Sequence, residues 1–294
     1  MINISTTYLP ETDLDTNKSN SNAILEALEY EAFRLTDNLD DISTDKGAKF
    51  YPSGYIRTET TKYDISSTTT EGVPWVKVTA RRWFTIESDE TDINGYYYIN
   101  HQFNGDVNYQ MKFHNDWVMI NQANVGTLVA YKDGPKKTGS WDYTSWRGMQ
   151  SYLWKGIMRG VYDWHNVYDS YFNLPSPPDV KIRGITGSWN GQCNMIRSSL
   201  STTPANLLTF FFNDIRVGDP TEYYYRIYEV TIHEMAHATH WQSLASTNAN
   251  RNARMIRSKQ LVREGWASGF TDHAIKKKFG HWYYTGCLTG TFGS

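Results

Sequence analysis

The chain has 294 residues, enough for one large domain or two ordinary ones with a substantial core. Its formal net charge of -2 and the absence of any Lys/Arg-rich run exclude electrostatic capture of nucleic acid or of an anionic membrane as the basis of function. Apolar residues make up 39% of the chain and aromatic residues 15%, with 21 Tyr and 11 Trp, so much of the buried surface comes from amphipathic rings, which also suit sites that grip extended polymers.

Residues 1–22 are rich in Thr, Ser, Asn and Asp without a sustained period and read as a flexible leader. Ile24, Leu25, Leu28, Ala32 and Leu35 recur at helical spacing, which predicts a short amphipathic helix packed on a neighbouring domain, within a helical linker over 23–49. From Phe50 to about Gln122 the pattern turns to short alternating runs, Tyr55–Thr61, Val76–Phe84, Tyr96–Ile99, Val107–Phe113 and Trp117–Ile120, separated by Gly, Asn and Asp. That is the signature of a small antiparallel β-sandwich, here bounded at 50–125. Within it Asn94-Gly95, a pair that tolerates positive φ, marks a tight turn feeding a Tyr-rich strand.

Gly134-Pro135 reads as a loop opening a second unit over 135–294. Trp146, Met149, Leu153, Ile157 and Val161 predict a long helix over Ser145–Tyr168, and Pro175-Ser176-Pro177-Pro178 an extended linker. Three strands are expected next: Val180–Ile185, Asn194–Ser198 and Leu207–Val217, the last holding the β-prone Phe210, Phe211 and Phe212. Asp219-Pro220-Thr221-Glu222 then reads as a helix start, with Asp219 capping, Pro220 at the first helical position and Glu222 completing a capping box. The helix is expected to run to about Leu244.

Inside that helix lies His233-Glu234-Met235-Ala236-His237. Residues four apart on an α-helix sit one above the other, so both imidazoles reach one side and can share a tetrahedral metal ion. Glu234 lies one position round, beside such an ion, where its carboxylate suits a general base acting on an activated water. A catalytic zinc needs a third protein ligand and an open position.

His233, Glu234 and His237 resemble the gluzincin metallopeptidases, which draw a ligand glutamate from a second helix downstream. That resemblance implies Glu264, in Leu261-Val262-Arg263-Glu264-Gly265-Trp266-Ala267-Ser268, with 26 residues between it and His237. The ordinary alternative for Glu264 is a solvated helix charge paired with Arg263 or Lys259. Its helix is supported by Ile256, Val262, Phe270 and Ile275 and ended by Lys276-Lys277-Lys278-Phe279-Gly280, where cations and Gly suit a C-terminus. Many gluzincins carry an acidic residue four positions after the ligand glutamate that orients a zinc histidine; here Ser268 stands there and Asp272 one turn on, and either is a candidate for that role. The metzincin pattern is disfavoured, since His240 and Ser243 occupy positions where it requires Gly and His. For His240 the reading favours packing, or a hydrogen bond to a ligand histidine, over ligation.

The pairing of a His-Glu-x-x-His-Ala helix with a later Glu-x-Trp-Ala helix is also similar to secreted zinc peptidases predicted in Bacteroidetes-type bacteria, which likewise carry an N-terminal sandwich. Residues Thr91–Tyr97, with Gly72-Val73-Pro74 and the Val76/Val78/Ala80 alternation, resemble the carboxypeptidase-regulatory, transthyretin-like sandwich family. These resemblances imply an α+β chain, a sandwich followed by a zincin-like domain with a mixed sheet, an active-site helix and a second ligand-bearing helix. They imply a peptidase using Zn2+, with peptide bound as an added strand along Leu207–Asn213, which holds Phe210, Phe211 and Phe212 and reads almost equally well as a buried strand, and a donor to the tetrahedral intermediate among His273, His281, Tyr283 and Tyr284. Only 30 residues follow Glu264, so a C-terminal subdomain is small or the chain truncated.

No run reaches the roughly 18–20 apolar residues a membrane span needs, and the N-terminus lacks a signal-peptide pattern. The expected protein is soluble, extracellular or envelope-associated, acting on peptide or protein with no nucleic-acid partner. Cys193 and Cys287 form either one disulfide or two free thiols. The competing class is a surface adhesin or glycan-binding protein with a structural zinc, closed by a fourth protein ligand such as His240.

Overall fold

The structure is a computed structural model that describes residues 24, 27–28, 30–32, 34–35, 49–60, 69–122, 128–177, 179–185, 192–193, 214–218, 221 and 223–280. It is a mixed α and β chain with three four-stranded sheets and several helices. The described residues between 24 and 35 are helical, but Ile24, Leu28 and Leu35 are more than half exposed, so these side chains do not make the packed face expected of them.

Alternation sets the first strands. In β1 (Ser53–Glu59) Ile56 and Thr58 point inward while Tyr55 and Arg57 face out, and in β6 (Val107–Lys112) Val107, Tyr109 and Met111 are buried. β1 pairs antiparallel with β2 (Thr70–Gly72) and β5 (Tyr96–Tyr98). The Asn94-Gly95 turn ahead of β5 is present: Gly95 has φ 77°, and Asp92 Oδ1 accepts from the N–H groups of Asn94 and Tyr96 at 2.8 and 2.9 Å. A Cβ at Gly95 would stand 2.2 Å from the Ile56 carbonyl oxygen, so the position requires glycine for space as well as for φ. A second, antiparallel sheet runs β4 (Thr85–Glu90), β3 (Lys77–Arg82), β6, β8 (Tyr131–Lys137).

β8 runs through Gly134-Pro135, where a loop was expected. Proline is tolerated because β8 is an edge strand and its pairing with β6 shifts register between Asn108 and Gln110, stepping over those two residues. β7 (Val118–Asn121) makes antiparallel bridges to His114 and Val129 and also pairs in parallel with β10 (Val180–Ile185), which pairs in parallel with β12 (Ile215–Gly218), and β11 (Gln192–Cys193) completes that sheet. β9 (Tyr143–Ser145) joins the other way, in parallel with β1. Strand pairing therefore crosses residues 125–135 in both directions. The strand expected at 194–198, and 207–213 of the next, lie outside the described residues.

Because Tyr143–Ser145 is committed to β1, the first long helix, α1, spans Gln150–Asp163 and begins five residues later than its periodicity suggested. It continues as a π-helical turn over Trp164–Tyr168 and a short α2 (Asp169–Tyr171). α1 lies against α3 (Tyr224–Ser243), and the contact is close because α1 offers glycines there: a Cβ at Gly156 or Gly160 would stand 2.8 Å from Cγ2 of Ile227 or Thr231. Lys155 of α1 is fully buried, donating to the carbonyls of Arg57 (2.7 Å) and Tyr143 (3.3 Å), and burial pushes its pKa well below the usual lysine range.

α3 starts at Tyr224 after an extended Tyr223 that makes no side-chain cap; Asp219, Pro220 and Glu222, the expected cap, lie outside the described residues. It ends at Ser243 as expected. α4 (Asn248–Arg257) and α5 (Gln260–Phe279) are separated by an extended Ser258-Lys259, and Gly280 caps α5 at φ 77°, its N–H on the Lys276 carbonyl at 2.8 Å. A charged network ties these helices together. Asp163 pairs with Arg159 and Lys278 at 3.1 Å each and accepts from the Tyr228 hydroxyl at 2.8 Å. Glu71 of β2 pairs with Lys278 at 3.2 Å and accepts from the Tyr224 hydroxyl.

Candidate metal centre

α3 packs its apolar residues inward, Ile232, Met235, Ala236 and Ala238 being fully buried, and this fixes its rotation. The consequence is that His233 and His237 stand together on one side, ring centroids 4.8 Å apart and interplanar angle 86°. Two further groups hold this stretch. The buried Trp164 indole of the π-helical turn donates to Thr239 Oγ1 at 2.9 Å, and the Tyr168 hydroxyl, 3.1 Å from that of Tyr228 on α3, donates to the Ala274 carbonyl of α5 at 3.1 Å. A π-helical turn thus braces both helices of the site.

α5 brings Glu264 across. Its Oε2 lies 3.3 Å from His233 Nε2 and 3.5 Å from His237 Nε2, so the carboxylate faces the histidine pair and not Arg263 or Lys259. These three donors lie within 4.8 Å of one another. For ligands at the roughly 2.0–2.1 Å bond lengths of zinc, a tetrahedral edge is about 3.3–3.4 Å, so the two carboxylate–imidazole separations suit one ion between them. The Glu264 side chain is 40% exposed against 12% for each histidine, which leaves the centre open on its carboxylate side.

The electrostatics follow from this geometry. Hydrogen bonds to His233 and His237 hold the Glu264 carboxyl well below the usual range. Burial disfavours the charged form of His233, but the bond to Glu264 and the charge of Glu234 outweigh it and raise its pKa, whereas for His237 burial wins and the pKa falls. Glu234, 4% exposed, is pushed up to about 8 by burial, and its Oε2 is enclosed without a hydrogen-bond partner among the described residues. Among the described residues it belongs to no metal-ligand group, and the charges of His233 and Glu264 both reach it.

The other expected residues divide sharply. His240 is buried, stacks on Trp266 of α5 at 4.8 Å and 22°, and is not in the donor group. Asp272 lies near enough to His233 to feel its charge, although burial dominates and raises its pKa; neither Asp272 nor Ser268 hydrogen-bonds to a ligand histidine among the described residues. His273 is taken up by the Tyr171 hydroxyl at 3.1 Å and the Phe172 ring. Phe210, Phe211, Phe212, His281, Tyr283, Tyr284 and Cys287 lie outside the described residues, as does any test of a Cys193–Cys287 bond. Sequence reasoning cast Arg263 only as a possible partner for Glu264, and Trp266 entered only as part of the Glu-x-Trp-Ala pattern, without a role of its own; the His240–Trp266 stack depends on how α5 lies on α3.

No helix among the described residues is long and apolar enough to cross a membrane. Comparison of the chain with protein-family models, with curated proteins and with solved structures finds no match.

Proposed function

We propose that this chain is a zinc-dependent metallopeptidase of gluzincin type, in which His233, His237 and Glu264 hold the ion and Glu234 is the general base. The observation that carries the reading is the convergence of three donors from two helices, with 26 residues between His237 and Glu264, and a fourth, enclosed carboxyl beside them and outside the ligand set. Zinc bound there would lower the pKa of a coordinated water towards neutrality and polarise a peptide carbonyl. Glu234 takes the proton of the attacking water and passes it to the leaving amine. Glu264 and the braced histidines keep the donors in place. The finer architecture, a zincin-like unit preceded by a transthyretin-like sandwich, and an extracellular or envelope location belong to the same proposal.

The test is metal analysis of purified protein with hydrolysis of a peptide library by wild type and Glu234→Gln. Stoichiometric zinc, with hydrolysis lost in the variant while zinc is kept, is the expected result; absence of zinc, or hydrolysis untouched by the substitution, refutes it. A non-catalytic, glycan-binding reading draws on one observation, the row of exposed Tyr51, Tyr55, Tyr96 and Tyr98 on the outer face of β1 and β5. It requires bound metal without hydrolysis of any peptide.

A further inference from the structure

The contact between α3 and α5 continues past the triad, and there it changes character. One turn beyond His237 on α3 stands His240; on α5, Arg263 and Trp266 flank Glu264 in sequence, and the Trp266 ring closes on that of His240. This stretch holds three polar atoms, Arg263 Nε, Trp266 Nε1 and His240 Nδ1. Each is buried, and none has a hydrogen-bond partner among the described residues. The Arg263 side chain makes no ion pair among them either, since the adjacent carboxylate, Glu264, is turned to the histidines. Its charge is felt by both His237 and His240, so the half-buried guanidinium lies on the histidine side of α5.

Such an arrangement is costly unless something completes it. Enclosed N–H donors left without acceptors lose their hydration and gain nothing in return. Two of the three groups, guanidinium and indole, can only donate, so the missing partner is an acceptor, and the positive charge makes an anionic acceptor the best fit. A planar guanidinium matches a carboxylate through two parallel hydrogen bonds.

We propose that Arg263, with Trp266 and His240, forms a carboxylate-binding subsite beside the metal centre that selects substrates presenting a carboxylate next to the bond to be cleaved. This rests on the peptidase reading for its substrate class. Two sources supply the same chemistry, the C-terminal carboxylate of a peptide or the side chain of an Asp or Glu residue within one. In the first case the enzyme trims C-termini; in the second it cuts beside acidic residues.

The experiment is calorimetric titration of the zinc-loaded full chain with four small probes. N-acetylphenylalanine and its amide report on a terminal carboxylate, and N-acetylglutamate α-amide with N-acetylglutamine amide on a side-chain one. At least one acid should bind about tenfold or more tighter than its amide, the worth of a charge-assisted hydrogen bond, and the pair that discriminates identifies the source. Arg263→Met should abolish the preference with zinc content unchanged, and Arg263→Lys, which keeps the charge without the fork, should retain only part. If neither acid is preferred, or if the preference survives in Arg263→Met and so belongs to the ion itself, the subsite is refuted. Zinc content and peptide hydrolysis on the same protein separate the two proposals. Discrimination without hydrolysis sinks the peptidase reading and keeps the subsite; hydrolysis without discrimination does the reverse.

Discussion

Two glycine-to-alanine substitutions, identical as chemistry, should have opposite effects. Gly160 sits in α1 where a Cβ would be 2.8 Å from Thr231 Cγ2 and 3.0 Å from Thr231 Cβ, on the helix that carries the histidines. Comfortable carbon–carbon contact is about 3.5–4.0 Å, so α1 and α3 must part by roughly 1 Å, and overpacking of this kind costs about 1–3 kcal/mol. Alanine returns about 0.8–1.0 kcal/mol of helix propensity, leaving Gly160→Ala destabilised by roughly 0–2 kcal/mol. Gly269 in α5 has nothing within 4 Å of its Cβ position, so Gly269→Ala keeps the whole gain, about 0.8–1.0 kcal/mol. Urea titration at constant m measures both, and the variants should differ by about 1–3 kcal/mol. Thr231→Ser removes the nearer carbon and should restore part of the loss in the Gly160→Ala background. Equal stabilisation by both substitutions would refute the close approach of α1 to α3.

Zinc at about a thousand times its dissociation constant should add roughly 4 kcal/mol to stability, on the order of 8–16 °C in Tm for a chain of this size. His237→Ala should lose that shift in a thermal scan, and an undiminished shift would put the ion elsewhere. Lys155 supplies a pH signature. Its pKa is depressed in the folded state, so between that value and the ordinary lysine range the unfolded chain binds more protons and stability rises as pH rises. Urea unfolding at pH 7 and pH 9 should show the gain in wild type and its absence in Lys155→Met; equal slopes would mean that the ammonium is not desolvated as described.

The metal donors were legible because helical periodicity is local. His233 and His237 share a side by spacing alone, and Glu264 followed from the same logic on the next helix, together with a family resemblance. Val180–Ile185 was legible as a strand for a similar reason, a run of β-prone residues between breakers. Pairing partners were not. Nothing in Val118–Asn121 states that, besides bridging to its sequence neighbours, it will pair in parallel with residues 180–183, and nothing in Gly134-Pro135 reveals that an edge position with a register shift will absorb both. The π-helical turn was hidden too, since Trp164 and Tyr168 look like a continuation of the α1 face until their partners on α3 and α5 are known.

The exchange of strands across residues 125–135 bears on how the molecule can be divided. A fragment beginning after that point would keep both helices of the candidate metal centre yet surrender β7, baring the edge of β10, while the N-terminal remainder would lose β8 and β9 and expose β6 and β1. Unsatisfied strand edges recruit other chains, so each piece should precipitate when produced alone and recover solubility when the two are co-expressed. Shuffling the half that holds the candidate metal centre between proteins would have to carry the N-terminal strands along with it.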